Sequence, residues 1–198
     1  MSFVVCVALK DCAYVLGDTQ ISIDSKAVVE TAIKVFPVNK NVLVGGTGDY
    51  VRLLDFLSYV TFNRKEFKNM SFYDVVNYIE EQFHDAEDNS FVVAGITPDG
   101  ISVKAIGKEG DKNAVTVGDM PFVKVLMPPG IKEEECRKYI TSTVNIERQI
   151  VNCIKEISKI SDSVNDKICG FKISNKGINV LTHNISYEDI TIRIGDLY

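Results

Sequence analysis

Ala32-Ile33-Lys34-Val35-Phe36-Pro37-Val38-Asn39-Lys40-Asn41-Val42-Leu43-Val44-Gly45-Gly46-Thr47-Gly48-Asp49 is the stretch that decides the fold. Two apolar runs, 33–38 and 42–47, flank Asn39-Lys40-Asn41, a polar turn, so the segment reads as a hairpin. From about Asp49 the period changes. Val51, Leu54, Phe56, Leu57 and Val60 fall on one face of a helix. A hairpin running into an amphipathic helix predicts an antiparallel sheet covered by a helical layer.

The same alternation recurs on both sides of this segment. Upstream, runs 3–9 and 13–17 flank the turn Lys10-Asp11-Cys12. Downstream, Ser71-Phe72-Tyr73-Asp74 has the form of a capping box, and Phe72, Val75, Val76, Ile79 and Phe83 follow at helical spacing. Strands are predicted over 91–97 and 101–106 around Pro98-Asp99-Gly100, and over 113–117. After Pro128-Pro129-Gly130, a helical region is predicted over 132–160, with a break near Val144-Asn145. Strands at 167–174 and 178–182, joined by Asn175-Lys176-Gly177, and a last one at 190–194 complete the order. Strands, two helices, strands, helices and strands predict an α+β protein. The expected architecture is a four-layer αββα sandwich of two mainly antiparallel sheets, forming a single domain over 1–198.

Bulk properties narrow the function. The chain has 198 residues, 45% hydrophobic and 25% charged, as in a soluble globular protein. A net charge of −5 weighs against nucleic-acid binding, which needs a basic face. No apolar run approaches the roughly 20 residues of a membrane span. The apolar start, 1–9, lacks a basic leader and a cleavage site, so it reads as a strand and not a signal peptide. Cys6, Cys12, Cys136, Cys153 and Cys169 are odd in number and form no C-x-x-C pair. They read as buried thiols of a reduced, cytoplasmic protein. His84 and His183 are the only histidines and read as solvated surface. Neither a zinc site nor any cofactor is expected.

Four residues form a candidate catalytic set: Ser2, Asp18, Lys34 and Gly48. Ser2 follows Met1, and trimming of Met1 would put a hydroxyl and a free α-amine on one residue. An α-amine has a pKa near 8, about two units below lysine, so it suits a general base near neutral pH. Asp18 ends a predicted strand and Lys34 begins the next. A lysine held by an aspartate would favour the serine alkoxide. Gly48 lies between a strand and a helix, where an outward amide suits an oxyanion. Singly, each residue has an ordinary role as a turn former, a solvated charge or a common second residue.

Together these segments resemble the proteasome β-type subunits and their bacterial relative, the HslV peptidase. Gly17-Asp18-Thr19-Gln20 is similar to the Gly-Asp-x-Gln of HslV and the Ala-Asp-x-Arg of proteasomes, Ile33-Lys34-Val35 to their Lys-Lys-Val or Lys-Lys-Ile, and Val44-Gly45-Gly46-Thr47-Gly48-Asp49 to their Gly-Phe-Ala-Gly segment. The spacings also match: sixteen residues from Ser2 to Asp18, sixteen from Asp18 to Lys34, and fourteen from Lys34 to Gly48. The match covers about the first 60 residues; beyond it only element order and the turn Ser174-Asn175-Lys176-Gly177 agree. The resemblance implies an N-terminal-nucleophile peptidase in a homo- or hetero-oligomeric ring of proteasome-type subunits. It would cleave unfolded polypeptides and work with an ATP-dependent unfoldase, with no nucleic acid or membrane involved. A catalytically silent β-type subunit with an assembly role is the alternative. A third reading is an amidase of the same superfamily acting on a small molecule.

The chain departs from the family's pattern in several places. Ser2 stands where the family usually has threonine, which frees χ1 and predicts slower turnover. Val117-Gly118-Asp119-Met120-Pro121 is the expected counterpart of a Gly-Ser-Gly turn, placing Asp119 as the support of the terminal amine. Asp162 and Asn165 are the counterparts of an Asp-x-x-Ser segment. A retained Met1 would acylate the amine. Specificity is expected from residues around Ser22, Lys26 and 45–49.

Overall fold

Complete burial of Val4, Val5, Cys6, Val7 and Ala8 marks the first strand as central, covered on both faces. The structure, a computed structural model, describes residues 3–23, 26–83, 89–107, 110–128 and 130–185. Its elements in chain order are β1 (Val4–Ala8), β2 (Cys12–Asp18), β3 (Ile21–Ile23), β4 (Lys26–Val29), β5 (Val35–Asn39), β6 (Val42–Thr47), α1 (Tyr50–Phe62), α2 (Arg64–Phe67) and α3 (Phe72–Phe83). There follow β7 (Ser90–Thr97), β8 (Gly100–Gly107), β9 (Val115–Thr116), β10 (Phe122–Leu126), α4 (Glu133–Arg137), α5 (Ile146–Ser158), β11 (Ile168–Ser174) and β12 (Gly177–His183).

Three sheets form among the described residues. One has the order β10-β1-β2-β11-β12, another β5-β6-β7-β8-β9, and β3 pairs with β4. All of these pairings are antiparallel. With five helices among the described residues, the fold is mixed α and β with antiparallel sheets.

Period-2 alternation sorts the strand side chains into separate cores. Phe3, Val5, Val7 and Leu16 pack with Ile146, Ile150, Cys153, Ile154 and Ile157 of α5. Val4, Cys6, Ala8, Ala13 and Val15 point the other way and pack with Val35, Leu43, Val92, Ala94 and Val103 from the second five-stranded sheet. That sheet's opposite face, through Phe36, Val42, Val44, Phe91 and Val93, packs with Leu53, Phe56, Val60, Val75, Val76 and Ile79 of α1 and α3. Each fully buried Val, Leu, Ile or Phe side chain contributes about 1.5–3 kcal/mol.

Local signals set the helix starts. The Asp49 carboxylate accepts a 2.9 Å bond from the Val51 amide. Ser71 and Asp74 form the anticipated box: the Ser71 amide donates to Asp74 Oδ2 at 2.8 Å, and the Asp74 amide donates to Ser71 Oγ at 3.2 Å.

Several expectations are corrected. The break expected near Val144-Asn145 is present but wider, so the region over 132–160 forms two helices, α4 and α5. Asn145 adopts φ 54°, in the left-handed region, and the Gln149 side chain accepts from the Thr141 amide at 2.7 Å, holding the break. The strand at 113–117 shortens to Val115–Thr116. β10 and the β3–β4 pair were not anticipated. β10 follows Gly118-Asp119-Met120-Pro121, which masks its start, and β3 and β4 are only three and four residues long. The strand at 190–194 and His84 lie outside the described residues. His183 is not fully solvated: its Nε2 is buried and has no hydrogen-bond partner among the described residues. No described helix is long and apolar enough to cross a membrane.

Candidate active site

Asp18 is the last residue of β2, and its partners come from two distant stretches, at Phe3 and Lys34, and from the adjacent Gln20. It is 1% exposed, and every acceptor direction in use serves the protein. Oδ1 accepts from Lys34 Nζ at 2.7 Å and from the Phe3 amide at 2.8 Å. Oδ2 accepts from the Gln20 amide at 3.0 Å. The Asp18 amide in turn donates to the Phe3 carbonyl at 3.2 Å. Phe3 is therefore clamped through both its backbone groups to the β2 terminus. Ser2, the adjoining residue, lies outside the described residues, as does Met1.

Lys34 immediately precedes β5 and so lies just outside the strand it was expected to begin. Its side chain is fully buried against Asp18, and its carbonyl accepts from the Gly46 amide at 2.9 Å. Burial pushes the Lys34 ammonium below the ordinary lysine range, while the Asp18 charge and hydrogen bond oppose that shift. Such a pair is costly to desolvate and costly to break.

Gly48 follows β6 with φ +106°, a conformation that needs glycine before the Asp49 cap. Its amide has no hydrogen-bond partner among the described residues. Asn89 fixes this turn: its Nδ2 donates to the Thr47 carbonyl at 3.3 Å and to the Asp49 carbonyl at 3.1 Å, one on each side of Gly48. Asn89 is 2% exposed. The sequence held no signal for it beyond a polar residue just before an apolar strand.

The segment leading into β11 docks on the same region. Asn165 Oδ1 accepts from the Thr19 amide at 3.1 Å, and Gln20 Nε2 donates to the Asp162 carbonyl at 2.6 Å and to Ser22 Oγ at 2.8 Å. Asp162 thus contributes its backbone, not its carboxylate, to the contact with Gln20. Thr19 Oγ1 donates to the Glu30 carbonyl at 2.6 Å. The side chain of Lys26 lies outside the described residues.

The register corrects the role expected of Asp119. β10 runs antiparallel to β1, with Val4 opposite Leu126 and Ala8 opposite Phe122. Asp119 therefore sits beyond the Ala8 end of β1, where it pairs with Lys10 at 3.0 Å on the exposed surface. The opposite end of β1 carries Phe3 and Asp18. Asp119 is therefore more than the length of β1, about 17 Å, from that end. It is the stretch after β10, toward Gly130, that reaches the Phe3 end.

The thiols are poorly suited to nucleophilic work. All five cysteines are buried and free. Burial pushes Cys6 up to about 12 and Cys169 up to about 11. The described residues contain no group of three or more His, Cys, Asp or Glu side chains placed to hold a metal ion.

Comparison of the chain with models of known protein families gives no match, and comparison with curated protein sequences gives none either.

Proposed function

We propose that the protein is an N-terminal-nucleophile peptidase subunit with the four-layer αββα arrangement of proteasome-type proteins. The observation that carries this reading is the fully buried Asp18–Lys34 pair, with Asp18 also holding the amide of the residue next to Ser2. A salt bridge in that position is expensive, and a serine activated at the chain start gives it a use.

In this reading the Ser2 hydroxyl attacks a peptide carbonyl carbon, and the Ser2 α-amine takes the hydroxyl proton. The Lys34 ammonium, held by Asp18, stabilises the alkoxide, and the Gly48 amide receives the oxyanion. Collapse of the tetrahedral adduct breaks the C–N bond. The proton passes to the leaving amine, and an ester on Ser2 remains. Water then hydrolyses the ester, returning the hydroxyl. Asn89 positions the Gly48 turn, and the Asn165 and Gln20 contacts hold the strand end that carries Asp18.

The test compares chains with Met1 removed and retained, assayed on unstructured peptides. Turnover is expected only when Met1 is gone, and Ser2→Ala should abolish it. Equal activity of the two forms would rule out the α-amine as base. The silent-subunit reading is favoured by one observation, the placement of Asp119 away from the Phe3 end. It prevails if the trimmed protein is assembled and inert.

A further inference from the structure

A second feature lies on the α1–α2 side of the molecule. Pro37, Val38, Asn39 and Lys40 form one wall of a concavity of about 950 Å³, and the residues around α2, with Phe62 at the end of α1, form the other. Phe62 is 88% exposed, a large apolar ring left in solvent. Lys40, Lys65 and Lys68 are exposed at the rim, and none makes an ion pair among the described residues. Arg64 adds a fourth cation, and Glu66 is the lone acid among the lining residues. This positive rim sits on a chain whose net charge is −5.

The walls are fixed to one another. Asn39 lies at the end of β5 and is buried. Its Nδ2 donates to the Phe67 carbonyl at 2.8 Å and to the Met70 carbonyl at 3.0 Å, on the opposite wall. Its Oδ1 accepts from the Asn41 amide at 2.9 Å, setting the turn that carries Lys40. Both amide protons and the oxygen of one buried side chain thus hold the groove open at a constant width. A pre-formed groove pays little ordering entropy when it is filled.

We infer that this groove docks an acidic peptide segment of a partner protein, one carrying a large apolar side chain that packs on Phe62 between carboxylates that meet Lys40, Lys65 and Lys68. Charge complementarity selects the acidic partner, and the exposed ring selects the apolar anchor. The inference is independent of the proposed peptidase chemistry. It survives if the protein proves inert and fails separately if the groove does not bind.

The test is fluorescence anisotropy with a labelled Glu-Glu-Phe-Glu-Glu peptide on the full chain. Controls are the same peptide with lysine for glutamate and the same peptide with alanine for phenylalanine. The acidic, aromatic peptide should bind, and raising salt from low to high should weaken it by about tenfold or more. Lys65→Glu with Lys68→Glu should weaken binding about tenfold or more, and Phe62→Ser should do the same. These residues are exposed, so folding should be preserved, and a thermal melt checks that. Asn39→Ala should weaken binding through loss of the wall contact, while a surface substitution away from the groove, Lys159→Glu, should not. Equal binding of the lysine peptide, or unchanged binding by the variants, would overturn the proposal. So would preference for a single-stranded oligonucleotide, or self-association abolished by Phe62→Ser and not displaced by the acidic peptide.

Discussion

Removing the Lys34 ammonium would strand a buried carboxylate, so Lys34→Ala is expected to cost about 3–5 kcal/mol of stability in urea unfolding. Replacing both partners with apolar residues would not restore the loss, because the Phe3 and Gln20 amides also rely on Asp18 and would be left without an acceptor. The pH dependence has a definite sign. Burial lowers the folded pKa of Lys34 below its ordinary 10.5. The unfolded chain therefore binds this proton more tightly than the fold does. Below the lowered pKa the fold carries that cost in full, and the cost fades as pH rises from there toward 10.5. In that window Lys34→Met should flatten the rise of stability with pH that the wild type shows. Asp18 and Lys34 were legible in the sequence from their neighbouring residues and equal spacings. Asn89 was not, because a lone polar residue in a loop declares its partners only once β6 and β7 are paired.

At the scale of elements, two substitutions probe different forces. Ser71→Ala removes one side of the α3 box and should cost about 1 kcal/mol, read as a lower urea midpoint. Gly170→Ala should cost more, about 3 kcal/mol, or prevent folding. A Cβ there would lie 2.2 Å from the Val15 carbonyl oxygen, where β11 pairs with β2. The central strands and the long helices were visible because burial marks the sequence: an unbroken apolar run for Val4–Ala8, covered on both faces, and a period of 3.6 for α1, α3 and α5, though α1 buries Leu53 and leaves Val51 exposed. What stayed hidden was short or depended on register. β10 is partly exposed and alternates weakly, and missing it assigned Asp119 to the wrong end of β1. Sequence order carries no strand register; the Val4–Leu126 pairing does.

At the scale of the whole molecule, the exposed Val51 and Tyr73 on α1 and α3 suit contact with further copies or related subunits. The assembly prediction is a ring at micromolar concentration and physiological salt, detected by light scattering, with Val51→Ser plus Tyr73→Ser shifting it toward monomer. A monomer under those conditions would count against the ring. The contacts around Asp18 also bear on timing. Phe3 and Asp18 lie 15 residues apart, Asp18 and Lys34 16, but Thr19 and Asn165 are separated by 146. During synthesis the salt bridge can form early, whereas the bond that seats Thr19 waits until Asn165 has left the ribosome. A chain stalled before that point holds its charged pair without the loop that steadies it; under the proposed peptidase reading, the nascent polypeptide then stays inert while its neighbours, and its own unfolded remainder, are within reach.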